Sequence, residues 1–295
     1  MKVENSLRQV AFIGAGNMGA AMARRVAQGG YPLLVCDRSE TVRQTFQSEG
    51  FAVTDTPAGC AAADLIVVLV ANDEQVKAVT LGPQGIVSAL DGQHHPLVCI
   101  MSTVLPETMV DVAQALTARG ARVIDAPVTG GVAGALRGTL TILLAGEAAD
   151  IETATPVMQC MGTRIFHCGG HGAAQVVKIV NNMVGIANIY LMAEAYELAS
   201  GYGVTPESLA PILEVGSGRN FLTQDAELAQ GHFQAWARSR EIFDSLADII
   251  RKDLELAQQL AGDKSLSLPV LNSVAAGLED IPGAVFERWQ KLAGI

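Results

Sequence analysis

The sequence predicts an α/β fold: a doubly wound parallel sheet, followed by an all-α C-terminal domain joined to it by a long interdomain helix. Three observations predict it. Short apolar runs alternate with helically spaced segments from Val10 to His167, the pattern of parallel strands with crossover helices. Strand signals stop after Gly169. From Ala173 to Ser200 the chain then reads as one helix without a proline, and the later segments read as helices too. Two domains, 1–169 and 170–295, follow from this change of pattern.

Val10–Ile13 is an apolar strand closed by glycine, and Met18–Gln28 has helical spacing up to Gly29 and Gly30. Leu33–Cys36 is a second strand, ended by Asp37. Ser39 reads as the cap of a helix Glu40–Ser48, with Gly50 behind it. Asp64–Val70 is apolar after its first residue, as expected of a strand buried on both faces. Leu97–Met101 is the next strand and Pro106–Ala118 a helix stopping near Gly120. Arg122–Asp125, Thr139–Ala145 and Arg164–His167 are the later strands. The C-terminal helices are Ala173–Ser200, Pro206–Val215, Phe221–Ala229, Ile242–Ala261, Val270–Leu278 and Val285–Leu292.

Hydrophobic residues make up 49% of the 295, enough for large buried cores, while aromatic residues make up only 5%. With abundant Ala and Gly, that favours close helix–sheet and helix–helix packing. A formal charge of −10 argues against a broad attraction to nucleic acid. No uninterrupted apolar run reaches the roughly 18 residues of a membrane span. The polar start, Met1–Gln9, lacks the apolar core of a secretory signal. The cysteines, Cys36, Cys60, Cys99, Cys160 and Cys168, form an odd set without a CxxC pair, which suits a reducing, cytoplasmic setting. Cys160, His167 and Cys168 have no fourth ligand at suitable spacing, so no metal site is expected.

Gly14-Ala15-Gly16-Asn17-Met18-Gly19 stands between a strand and a helix with GxGxxG spacing. Gly14 allows the tight turn, Gly16 lets the backbone approach a pyrophosphate, and Gly19 lets the helix pack close to the strand. The free N–H groups and dipole of the helix favour the anion. The hexapeptide alone is a weak signal, but its flanks are those of a Rossmann-type dinucleotide site. Asp37, at the end of the second strand, is placed to accept hydrogen bonds from the adenosine ribose and to repel a 2′-phosphate, which favours NAD over NADP. Arg38 beside it has the opposite tendency.

Asp125-Ala126-Pro127-Val128-Thr129-Gly130-Gly131 follows a strand. Its paired glycines let successive N–H groups converge into an anion-binding nest, and the Thr129 hydroxyl adds a donor; a carboxylate suits it. A glycine-rich connection without a ligand is the alternative. Lys178 and Asn182, four apart, share a face of the long helix. Their neighbours Val176, Val177, Ile179, Val180, Met183 and Val184 are apolar. Loss of hydration there lowers the pKa of a lysine and lets it act as a general base. A lysine reaching out to solvent along its aliphatic stem is the competing reading, and the position beside a nucleotide fold favours the base. Lys252 and Asp253 are a charged spot on an otherwise apolar helix, explained as well by a solvated face. Arg219 and His171 read equally well as surface loop residues.

The glycine hexapeptide with Met18, the DAPVTGG loop running into Gly138-Thr139-Leu140, the GHGAAQVVKIVNN helix and KDLELA occur in one order. In these motifs, over about residues 8 to 270, the chain resembles the β-hydroxyacid dehydrogenases, which include 3-hydroxyisobutyrate dehydrogenase and tartronate semialdehyde reductase. The resemblance implies that Lys178 is the catalytic lysine and Asn182 the substrate-orienting asparagine. It implies that Thr129, Gly130 and Gly131 hold the substrate carboxylate, that Thr103 lies near the nicotinamide, and that Lys252 lies over the cofactor. A homodimer or homotetramer sharing contacts between helical domains is also implied. Most relatives have serine at the Thr129 position and many have an aromatic residue where Ser245 stands. The tail after Pro269 looks short, without a clear match to the usual last helices.

The expectation is therefore an NAD(P)-dependent enzyme that moves a hydride to or from C3 of a short 3-hydroxy carboxylic acid. Residues 1–169 form the dinucleotide-binding domain and 170–295 the substrate and oligomerisation domain. A semialdehyde or imine reductase using NADPH is the alternative, although imine-reducing relatives generally lack the lysine. A non-catalytic nucleotide-binding scaffold is the reading from a different class, and the intact Lys178 and Asn182 pair argues against it.

Overall fold

The computed structural model describes residues 7–277 and 283–295. The chain forms two compact units, Met1–Lys178 and Ile179–Ile295.

The first unit opens with β1 (Val10–Ile13), α1 (Asn17–Gln28), β2 (Leu33–Cys36), α2 (Glu40–Ser48) and β3 (Ala52–Thr54). It continues with β4 (Leu65–Val68), α3 (Asp73–Leu81), β5 (Leu97–Ile100), α4 (Pro106–Thr117) and β6 (Arg122–Asp125). These six strands are parallel, in the order β3-β2-β1-β4-β5-β6. Alternate residues of each strand enter opposite cores. Val10, Phe12, Leu65, Val67, Leu97 and Cys99 lie in one, and Ala11, Ile13, Ile66, Val68, Val98 and Ile100 in the other. Burial on both faces explains why the strands read as unbroken apolar runs.

Beyond β6 the sheet is mixed, which corrects the wholly parallel expectation. After β7 (Val128–Thr129) the short helix α5 (Gly131–Arg137) leads into β8 (Leu140–Gly146), antiparallel to β6 and β7. A parallel strand needs a crossover that returns the chain to the starting end of the sheet, and α5 is too short to make one. The longer α6 (Ala148–Met161) makes it, and β9 (Gly162–Gly169) pairs parallel to β8. Three helices have no counterpart in the sequence reading: α3, α5 and α6. Asn72 caps α3 by accepting from the Gln75 N–H, and α6 carries Pro156 within it, which hides its periodicity.

α7 (Ala173–Gly201) begins in the first unit and ends in the second. The two compact units meet after Lys178, within this helix. The first turns of α7 are tied to the sheet, with Ala174 packed among Leu143 and Ala145. Among the described residues α7 is the one helix long and apolar enough to cross a membrane. Much of its apolar surface lies exposed along a stripe formed by Val177, Val180, Val184, Leu191 and Leu198.

The second unit adds α8 (Pro206–Val215), α9 (Ala226–Ala237), α10 (Arg240–Asp263), α11 (Pro269–Ala276) and α12 (Gly283–Ala293). The helix expected at Phe221–Ala229 starts later, because Asp225 caps α9 by accepting from the Leu228 N–H, while Asn220 holds Leu222 in a turn. Leu278, expected at a helix end, lies outside the described residues, as do Met1–Ser6. α10 buries Phe243, Ala247, Ile250, Leu254, Ala257 and Ala261, a stripe at helical spacing. The tail belongs to this core. Trp289 of α12 is 1% exposed and meets Phe233, Trp236, Phe243 and Tyr190 at ring distances of 5.7, 5.8, 5.3 and 5.4 Å.

Candidate active site

The glycine turn between β1 and α1 has the steric requirements its spacing implies. A Cβ on Gly14 would lie 2.2 Å from the Leu69 carbonyl oxygen, and one on Gly19 2.2 Å from that of Gly14. At Gly16 nothing lies within 4 Å, so this backbone is open to an incoming group. Asn17 is exposed and Met18 packs on the sheet core. A groove of about 400 Å³ is lined by Ala15, Gly16, Asn17, Arg24, Val42 and Leu136. Asp37 closes the turn: one carboxylate oxygen accepts the Ala15 N–H and the other the Ser39 N–H, each at 2.8 Å. Arg43 donates to the backbone oxygens of Asp37 and Arg38, and the Arg38 side chain is exposed. Open backbone at Gly16, a helix N-terminus and an ordered carboxylate at the end of β2 fit a dinucleotide.

Thr103 is half-buried in the loop after β5. The hydroxyl of neighbouring Ser102 donates to the Val70 oxygen at 2.9 Å and accepts from the Val70 N–H at 2.8 Å. Thr129, Gly130 and Gly131 join β7 to α5. Gly130 and Gly131 have φ of +125° and +62°, which favours glycine at both.

Asp125, at the end of β6 and fully buried, accepts the Gly172 N–H at 2.7 Å and faces His171 Nδ1 at 3.4 Å. The hydrogen bond to Asp125 raises the His171 pKa, and burial raises that of Asp125. His171 thus anchors the head of α7. Lys178, two turns on, is only 8% exposed.

In the second unit Asn182 and Lys252 converge on one buried carboxylate. Asn182 Nδ2 donates to Asp253 at 2.7 Å, and Lys252 Nζ pairs with Asp253 at 3.1 Å. The Asn182 amide is thereby fixed with its nitrogen toward α10. The sequence left Asp253 open between a solvated helix face and a functional role; its apolar neighbours Ile250, Leu254 and Leu256 were the available signal. Asp125 and Gln175 were missed too, each standing inside a recognised motif without a role. Arg219 is exposed and paired with Glu214, and Ser245 is exposed on α10.

A crowded glycine turn on a doubly wound sheet, closed by an acidic residue and followed by a buried lysine, defines a dinucleotide-dependent oxidoreductase. Comparison with known proteins gives the family. Residues 9–170 match the NAD binding domain of 6-phosphogluconate dehydrogenase, and 172–285 match the family described as NAD-binding of NADP-dependent 3-hydroxyisobutyrate dehydrogenase. A 3-hydroxyisobutyrate dehydrogenase of Pseudomonas aeruginosa is 35% identical over 73% of this chain and 72% of its own. An NAD-dependent L-serine dehydrogenase of the same organism is 32% identical over 92% and 91%. The solved structure of Mycobacterium tuberculosis 3-hydroxyisobutyrate dehydrogenase with L-serine superposes with a TM-score of 0.81 at 25% identity, covering 97% and 99%. The chain belongs to the β-hydroxyacid dehydrogenase family. It is an NAD(P)-dependent hydroxyacid dehydrogenase.

Proposed function

We propose that the substrate is a short 3-hydroxy carboxylate of the 3-hydroxyisobutyrate, serine or tartronate semialdehyde type, and that Lys178 handles its proton. The observation that carries this reading is the burial of Lys178 one helical turn before Asn182, on a helix whose head is fastened to the dinucleotide-binding unit. The Thr129 hydroxyl and the Gly130 and Gly131 N–H groups hold the carboxylate. Neutral Lys178 removes the hydroxyl proton in oxidation, and its ammonium form returns one in reduction. Asn182, whose Nδ2 donates to Asp253 and whose Oδ1 accepts from Asn181 Nδ2, orients the substrate hydroxyl with its amide held in place. A bound nicotinamide would supply the hydride chemistry at C3.

For the cofactor we assign the Gly14–Gly19 turn to the phosphates, with Gly14, Met18 and Gly19 shaping it and Gly16 and Asn17 facing them. We assign Asp37 and Arg38 to the adenosine ribose, Thr103 to the nicotinamide, and Lys252 to the cofactor by resemblance. The Asp37 carboxylate supports a preference for NAD over NADP. The exposed stripe on α7 supports a homodimer or homotetramer, because Val177, Val184, Leu191 and Leu198 recur every seventh residue, as on a helix that pairs with its own copy. The five free thiols support a reducing, cytoplasmic location.

The test is turnover of 3-hydroxyisobutyrate, L-serine, glycerate and the matching semialdehydes with both cofactors, for wild type and Lys178→Ala. The variant is expected to bind NADH normally and to lose about 10³-fold in kcat. Wild-type turnover in that variant would remove Lys178 from the chemistry. Sedimentation at micromolar concentration checks the oligomer, and a monomer would refute it.

A further inference from the structure

Gln175 is fully buried, with 0% exposure, and both ends of its amide are used on one loop. Nε2 donates to the Ser102 oxygen at 3.1 Å, and Oε1 accepts the Val104 N–H at 3.1 Å. A strand residue in a parallel bridge makes the same pair of bonds: it donates to the carbonyl before the residue it faces and accepts from the amide after it. The Gln175 side chain therefore acts as a strand neighbour to Thr103. On its other side the loop is fastened by the paired Ser102–Val70 bonds. Gln175 also belongs to the first turns of α7, one turn before Lys178. An apolar side chain would fill the same volume but leave two peptide groups of the loop without partners.

We propose that Gln175 is a positioning residue that locks Thr103 and Lys178 into one rigid piece, so that the proton-transfer group and the loop beside the nicotinamide keep a fixed register. The inference rests on the assignment of Lys178 and Thr103 to the reaction given above. Its signature is a loss in kcat rather than in folding or cofactor binding. The conservative variant Gln175→Glu has a further signature. As a neutral acid, Glu at this site can donate to the Ser102 oxygen and accept from Val104, reproducing the amide. Once ionised it repels the Ser102 oxygen.

The experiment compares wild type, Gln175→Met, Gln175→Glu and Lys178→Ala. It uses 3-hydroxyisobutyrate or L-serine, whichever turns over faster, and reads kcat, KM, the NADH dissociation constant by fluorescence, and the melting temperature. Gln175→Met is expected to fold, to bind NADH within about threefold of wild type, and to lose about 10- to 100-fold in kcat with a smaller change in KM. Gln175→Glu is expected to recover kcat relative to wild type as pH is lowered, with no such recovery in Gln175→Met. Wild-type kcat in Gln175→Met, a lowered melting temperature with unchanged kcat, or a Gln175→Glu pH profile parallel to wild type would each overturn the proposal. If Lys178→Ala is inactive while Gln175→Met is fully active, only the role of Gln175 fails. If Lys178→Ala turns over normally, the reading of the reaction fails first.

Discussion

In the turn after β1 glycine is demanded mainly by crowding, and in the loop after β7 by torsion. Around the first, backbone oxygens stand 2.2 Å from where the Cβ of Gly14 or Gly19 would be. Around the second, Gly131 has nothing within 4 Å of its Cβ position but holds φ at +62°. Crowding between a strand, a turn and a helix recurs at set positions along the chain, so it leaves a fixed spacing in the sequence. A torsional requirement leaves only a glycine, and its reason stays hidden until the backbone is known. Gly16 differs from both: its φ is −67° and its surroundings are empty, so its glycine serves whatever approaches from outside.

The largest effect that tests this comparison is Gly19→Ala. Its new methyl meets a main-chain oxygen that cannot step aside, so stability should fall by about 3 kcal/mol and NADH binding with it. Denaturant unfolding with an unchanged midpoint would break the crowding argument. Gly16→Ala should leave stability within about 0.5 kcal/mol, since neither space nor torsion opposes it. NADH affinity should nonetheless drop about tenfold, a difference of about 1.4 kcal/mol that a fluorescence titration resolves. Equal losses in stability and affinity would erase the distinction between Gly16 and its neighbours. Gly131→Ala should cost about 1–2 kcal/mol, the penalty of a left-handed torsion, and raise KM for the acid more than it lowers kcat.

The smallest expected effect concerns the loop at the head of α7. The hydrogen bond to Asp125 raises the folded-state pKa of His171 above its ordinary 6.5, and burial raises Asp125 above its ordinary 3.8. Both groups bind protons more tightly when folded. The His171 contribution is therefore complete below 6.5 and is lost as pH rises through the raised value, while that of Asp125 is lost at pH above 3.8. Melting temperature should fall by about 2 °C across the histidine window, and His171→Asn should flatten that slope. A melting temperature that climbs with pH over this range would contradict the pairing.

Much of the candidate site was legible because its signals are local. Asp37 is named by its place at the end of β2, and Lys178 and Asn182 by their shared helical face. Thr129 to Gly131 was legible as an anion-binding candidate, although the helix that begins there was not. Less legible were the groups that hold these residues. Asp253 reads equally well as a surface acid or a functional one until α10 is seen to bury it against Asn182. Trp289 looked like part of an unmatched tail until α12 was seen to pack into the aromatic core.

From the sequence alone came the doubly wound sheet, the nucleotide turn, the long helix with its lysine and asparagine, and the helical C-terminal half. Each of these is written in spacing or periodicity among near neighbours, where backbone geometry permits few alternatives. The tertiary structure decided the reversed strand β8, the carboxylate under Asn182 and the amide that pins Thr103. The three hydrogen bonds these last two features make join residues 71 or more positions apart, and such partners are chosen by the path of the whole chain rather than by any pattern within a segment.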